Sequence, residues 1–155
     1  MINFIIKQAE IQDLREILQL QKQAFITEAE QHGNYEIEPL KQTYESILSD
    51  FESYSFLKML NGNEIIGSVK YKAVNGAVWV GKLMINPRFR RQGLGKRLLL
   101  EVEKLNPEAI RFQLFTAASS IQNIKLYESV GYKVCNKYKD NAQSGLEMVE
   151  MIKLA

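Results

Sequence analysis

The sequence predicts an α+β fold, a mixed and mostly antiparallel sheet flanked by helices, in the order βααβββαβαββ. Three observations carry that expectation. Apolar residues recur with helical spacing in four stretches, β-branched and aromatic runs lie between them, and Asn-Gly turns sit where consecutive runs must reverse. At 155 residues, with 46% hydrophobic and 25% charged side chains, the chain matches one ordinary globular domain, and residues 1–155 are read as such.

Ile2–Gln8 alternates weakly and reads as a first strand. Leu14, Ile17, Leu18, Gln21 and Phe25 then share one stripe, predicting a helix from Ile11 to about Glu30 that ends at His32-Gly33-Asn34. A second helix, Leu40–Phe51, follows Pro39, a residue suited to a first helical turn. The acidic residues Glu28, Glu30, Glu36 and Glu38 are expected in the loop between these helices. Phe56–Leu60, Glu64–Val74 and Ala77–Ile85 read as strands of an antiparallel meander. Their separators are Asn61-Gly62-Asn63 and Asn75-Gly76, and the second is a strong two-residue hairpin signal because both residues tolerate positive φ.

Asn86-Pro87 stops the third of these strands, since proline lacks a backbone donor. Leu94, Leu98, Val102 and Leu105 mark one face of a helix over residues 93–106, closed by Asn106-Pro107. Arg111–Thr116 alternates as a strand, and Ile121–Val130 is a short helix with Gly131 as its C-cap. Tyr132–Tyr138 and Leu146–Leu154 complete the sheet. Strand 77–85, helix 93–106 and strand 111–116 form a βαβ unit, and ligands of open sheets sit beyond the carboxyl ends of such strands. Residues 86–95 therefore draw attention.

Composition removes several chemistries. One histidine, His32, and one cysteine, Cys135, do not make a structural zinc cluster, so no metal is expected. Cys135 is read as a packing residue, without a base beside it. No apolar run approaches the roughly 18 residues that span a bilayer, and the N-terminal stretch lacks the layout of a secretion signal. The expectation is a cytoplasmic protein with no membrane partner. Net charge is +2, yet residues 1–60 hold ten acidic and five basic side chains, a net −5, while residues 61–155 hold eight acidic and fifteen basic, a net +7. The basic half suits a polyanionic ligand such as a nucleotide cofactor, and the acidic half a cationic substrate. Without an aromatic ladder or recognition helix, the arginines do not predict a nucleic-acid partner.

Arg90-Arg91-Gln92-Gly93-Leu94-Gly95-Lys96 lies between a strand and a helix, where the first helical N–H groups have no acceptor and the dipole favours an anion. Gly93 and Gly95 bare those amides, and Arg88, Arg90, Arg91, Lys96 and Arg97 add positive field. A P-loop is a worse fit because Arg97, not Ser or Thr, follows Lys96. A dinucleotide fingerprint would need glycine where Leu98 stands. Further on, Asn123 and Tyr127 are four residues apart and share a helix face, offering an amide and a phenol to one cleft.

Leu83-Met84-Ile85-Asn86-Pro87 with Arg90-x-x-Gly93-x-Gly95, joined to Asn123-x-x-x-Tyr127 and Gly131-Tyr132, resembles the GNAT superfamily of acetyl-CoA-dependent N-acetyltransferases. The resemblance covers nearly the whole chain. It implies that the backbone of Leu83, Met84 and Ile85 pairs with the pantetheine arm. The amides of Arg91, Gln92, Gly93, Leu94, Gly95 and Lys96 would hold the pyrophosphate, with Arg90 completing the motif and Asn123 touching the cofactor arm. Tyr127 would be the general acid for the departing thiolate, and acetyl-CoA the acetyl donor. Many members carry a glutamate on the strand that here reads Trp79-Val80-Gly81-Lys82, so the base must be sought elsewhere. Glu28 and Glu30 are the expected substitutes and acceptor-site residues. The partner is then a primary amine of a small molecule or peptide, attacked directly in a ternary complex; a noncatalytic acyl-CoA-binding module is the alternative, and a homodimer is possible through the C-terminal strands.

Overall fold

The computed structural model describes residues 3–143 and 145–155. A seven-stranded sheet in the order β1-β2-β3-β4-β5-β7-β6 is built from β1 (Ile5–Gln8), β2 (Ser55–Asn61), β3 (Glu64–Val74), β4 (Ala77–Ile85), β5 (Arg111–Ala117), β6 (Lys133–Asp140) and β7 (Leu146–Leu154). All neighbours are antiparallel except β4 and β5. The mixed α+β class and the βαβ unit are as the periodicity predicts. Ile2, assigned to the first strand, lies outside the described residues.

Helices α4 (Leu94–Leu105) and α5 (Ile121–Ser129) cover one face, where Leu98, Leu99 and Val102 pack on Val78, Val80, Phe112 and Leu114. Helices α1 (Leu14–His32) and α3 (Tyr44–Ser53) cover the other, burying Leu14, Ile17, Leu20 and Ile47 against Phe56, Ile65 and Met84. α1 closes with Gly33 at φ 63° donating to the Ala29 carbonyl, a left-handed cap that glycine adopts without Cβ strain. Because the helix runs to His32, Glu28 and Glu30 are helical and not in a loop; of the four acids expected there, Glu36 alone stands between helices.

The second predicted helix is divided. α2 is only Glu38–Lys41, and α3 starts afresh at Thr43, whose hydroxyl accepts from the Ser46 N–H at 3.1 Å. The break at Gln42 has a tertiary cause. Its amide is buried, accepting from Gln21 and from Lys82 Nζ, both at 2.9 Å, and donating to Asp50 at 2.8 Å, so it turns inward from the helical path.

β1 is tied to the rest through the 3-10 turn Ile11–Asp13. Burial pulls the Asp13 carboxyl pKa upward, but the Glu10 N–H and Lys58, 2.7 Å away, outweigh it and hold the value below the usual 3.8. A lowered folded-state pKa gives stability that is present above the unfolded value and lost as pH falls through the folded one. Asp13→Asn is therefore expected to flatten the decline of thermal stability below about pH 4, measured as melting temperature against pH; an unchanged slope would remove Asp13 from the acid response.

No helix among the described residues is long and apolar enough to cross a membrane.

Candidate active site

The site begins with a break in β4. Between Gly81 and Met84 this strand carries one residue more than its partner β3, pairing Lys70 with Gly81 but Ser68 with Met84, and Lys82 takes φ 52°. Such a bulge bends a strand and reverses its alternation. Val78 and Val80 thus face α4, while Met84 faces α1 and α3. Pairing with β5 ends at Val80–Leu114, after which β5 continues beside β7 only. The two central parallel strands diverge, and the β5-facing backbone groups of Leu83, Met84 and Ile85 are left without a strand partner.

A cleft of about 650 Å³ opens at this divergence, lined by Leu83, Met84, Ile85, Arg90, Arg91, Gly93, Leu94, Gly95 and Lys96 on one side and by Ser119, Ser120 and Asn123 on the other. α1 contributes Thr27, Glu28 and Gln31. The first helical bond of α4 is from the Arg97 N–H to the Gly93 carbonyl at 3.2 Å, and no side chain caps that end. The Leu94, Gly95 and Lys96 amides are therefore without an intrahelical acceptor and face the cleft, where they suit a diphosphate.

The two glycines do different jobs. Gly93 has φ 72° with nothing within 4 Å of a Cβ built there, so its need is conformational. A Cβ at Gly95 would lie 3.2 Å from Leu126 Cδ2, so that glycine lets α4 approach α5. Arg91 also takes a left-handed φ, 64°. The basic cluster is smaller than its sequence: Arg88 pairs with Glu64 at 2.6 Å, Arg90 donates to the Ala24 carbonyl and Arg97 to the Phe4 carbonyl, both at 2.9 Å. Arg91 and Lys96 line the cleft without a protein partner among the described residues.

Gln92, Glu30 and Tyr127 stand apart from the cleft wall. Gln92 is exposed and does not line the cleft, because it sits at the crest of the turn. Glu30 is exposed and does not line it either; two residues after Glu28 on a helix, it projects from a different side. Tyr127 shares a helix face with Asn123 but lies deeper, in the core cluster and edge-on to Tyr132 at 6.0 Å. Burial first, and then the charge of Glu28, push the Tyr127 phenol pKa well above its ordinary value of 10.0. Among the described residues no fully buried side-chain polar atom lacks a partner. Cys135, read as packing, is exposed on β6.

Glu28 is the cleft's only carboxylate among the described residues. It accepts a hydrogen bond from the Ser120 hydroxyl and lies 3.8 Å from His32 Nε2. The i,i+4 spacing of Glu28 and His32 was visible in the sequence; their approach to Ser119 and Ser120 was not. Lys82, also unforeseen, spans from the bulge to Glu38 at 2.6 Å and to Gln42. Burial lowers its pKa against the pull of Glu38. No group of three or more metal-ligating side chains forms among the described residues.

A sheet that divides between parallel strands, with uncapped helix amides at the division, defines a class of site suited to an elongated ligand that carries a phosphate. The chain belongs to the GNAT acetyltransferase family: residues 8–155 match its acetyltransferase (GNAT) domain model. It is 28% identical over 125 residues to the UPF0157 protein YqkA of Bacillus subtilis, covering 81% of this chain and 36% of that one. It is 29% identical over 115 residues to the catalytic subunit of the N-terminal acetyltransferase B complex of Arabidopsis thaliana, covering 68% of this chain and 66% of the subunit. The chain thus spans about a third of the first relative's length and just under two thirds of the second's. The crystal structure of the PaiA N-acetyltransferase from Thermoplasma acidophilum in complex with coenzyme A has the same fold, with a TM-score of 0.83 at 19% identity and 99% of each chain covered.

Proposed function

We propose that this protein transfers the acetyl group of acetyl-CoA to a primary amine by direct attack in a ternary complex. The observation that carries this reading is the divergence of β4 and β5, which leaves a strand edge and a row of helix amides facing one cleft. The relatives named as N-acetyltransferases, one of them solved with coenzyme A, support it.

Acetyl-CoA supplies an acetyl group activated as a thioester. Leu94–Lys96 amides, aided by Arg91 and Lys96, hold the diphosphate, the free edge of Leu83–Ile85 aligns the arm, and Asn123 steadies it from α5. Glu28 attracts the acceptor's ammonium and takes its proton, since a lysine-like amine with pKa of about 10.4 attacks only when deprotonated. Tyr127 stays protonated and donates to the departing sulfur. The stretch of β4 on which many members carry a glutamate reads Trp79-Val80-Gly81-Lys82 here, and the carboxylate comes from α1 instead.

Incubating the protein with acetyl-CoA and a panel of spermidine, an aminoglycoside and N-terminal peptides, read by free thiol, is expected to give release that depends on the amine. Tight coenzyme A binding without release across the panel would favour a noncatalytic binding module.

A further inference from the structure

We infer that His32 stores the proton that Glu28 takes from the acceptor amine, acting through the Ser120 hydroxyl; the inference rests on the acetyl-transfer reading above. His32 is the chain's single histidine. It lies in the last turn of α1 with only 9% of its side chain exposed. Its Nδ1 is 3.0 Å from Ser119 Oγ, and its Nε2 is 3.4 Å from Ser120 Oγ and 3.8 Å from Glu28 Oε1. The ring does not line the cleft, whereas Glu28, Ser119 and Ser120 do. His32 is therefore a positioning residue behind the carboxylate.

The charged surroundings are few. α1 presents Glu28, the turn from β5 to α5 presents only the two serine hydroxyls, and α5 presents the Tyr127 phenol, which feels the Glu28 charge. Neither Glu28 nor His32 has a lysine or arginine ion partner among the described residues, and the imidazole is the basic group beside the carboxylate.

This arrangement gives an extra proton a place on Nε2, facing the Ser120 hydroxyl. With His32 neutral and its hydrogen on Nδ1, the Nε2 lone pair faces Ser120, and the Ser120 hydroxyl donates to Glu28. When Glu28 takes a proton from the ammonium, it passes it to Ser120 Oγ while Ser120 gives its own hydrogen to Nε2. Glu28 is again a carboxylate accepting from Ser120, and the imidazolium donates from Nε2 to Ser120 Oγ. The balance closes on the three protons of a primary ammonium. One passes by this path to His32 before attack and leaves to solvent after the amide has formed. As the C–N bond forms and the C–S bond breaks, Tyr127 gives its proton to sulfur and recovers one from the nitrogen, and the third stays on the amide.

Because there is one histidine, 15N NMR of the ring reads His32 alone. In the whole protein at fixed pH, Glu28→Gln is expected to change the 15N shifts of the ring, because its Nε2 and Glu28 share the Ser120 hydroxyl; unchanged shifts overturn the relay. His32→Gln, which retains hydrogen-bonding atoms but does not ionise, is expected to lower turnover of the amine panel about 10- to 100-fold near pH 7, with coenzyme A affinity and melting temperature unchanged. That deficit should shrink toward about pH 9.5, where more of the amine arrives already deprotonated. A deficit constant with pH marks a structural role and overturns the relay. Wild-type protein that releases no thiol with any amine overturns the acetyl-transfer reading itself, whereas unchanged ring shifts in an active enzyme remove the relay alone.

Discussion

Tyr127→Phe is expected to reduce kcat by about 100-fold while leaving the affinity for coenzyme A unchanged. The ring is part of the core, edge-on to Tyr132 and among Val130, Phe112 and Leu114, and phenylalanine fills the same volume. What is lost is one hydroxyl in the field of Glu28. Burial and that charge keep the phenol protonated at any working pH, so it is always ready to donate, and no alkaline loss of activity below pH 10 should trace to it. The same high pKa makes full proton transfer costly unless the accepting thiolate is equally desolvated. Steady-state kinetics by thiol release, paired with calorimetric titration of coenzyme A, separate the two effects. An unchanged kcat removes Tyr127 from the chemistry, and a weakened titration with unchanged kcat assigns it to binding.

Gly93→Val acts at the opposite end of the cleft and on the opposite parameter. Left-handed backbone costs a non-glycine residue roughly 1–2 kcal/mol, and Gly93 holds φ 72° as the N-cap of α4. Valine relieves that strain by turning the backbone, which swings the Leu94–Lys96 amides off their common direction. Coenzyme A binding should weaken about tenfold or more, the equivalent of 1.4 kcal/mol and upward, while kcat at saturation changes little. Nothing lies within 4 Å of the added Cβ, so helix packing is spared. Unaltered affinity in the calorimeter would contradict a role for these amides.

How far the sequence leads can be judged at particular residues. The meander was readable because Asn75-Gly76 and Asn61-Gly62 are turn residues for local reasons, and β4-α4-β5 because two periods meet at Asn86-Pro87. Local spacing also placed Asn123 and Tyr127 on one face. It did not set depth, since whether a phenol lines a cleft or floors it depends on how close α5 packs, and that is decided by Leu126 against Gly95. The bulge at Lys82 was hidden because a lysine at positive φ has no local signature; Glu38 and Gln42 hold it there. Arg88, Arg90 and Arg97 read as a phosphate field, yet each is engaged by a group far along the chain. His32 was passed over for the same reason: Ser120 is 88 residues away.

A crystal structure of the protein with coenzyme A tests the shared premise of these proposals, that the division between β4 and β5 is where the cofactor lies. The expected density has the diphosphate on the Leu94, Gly95 and Lys96 amides, the pantetheine alongside Leu83–Ile85, and the sulfur at the Glu28 end of the cleft, directed toward the Tyr127 phenol. A diphosphate bound elsewhere, or a sulfur directed away from that end, would contradict the account.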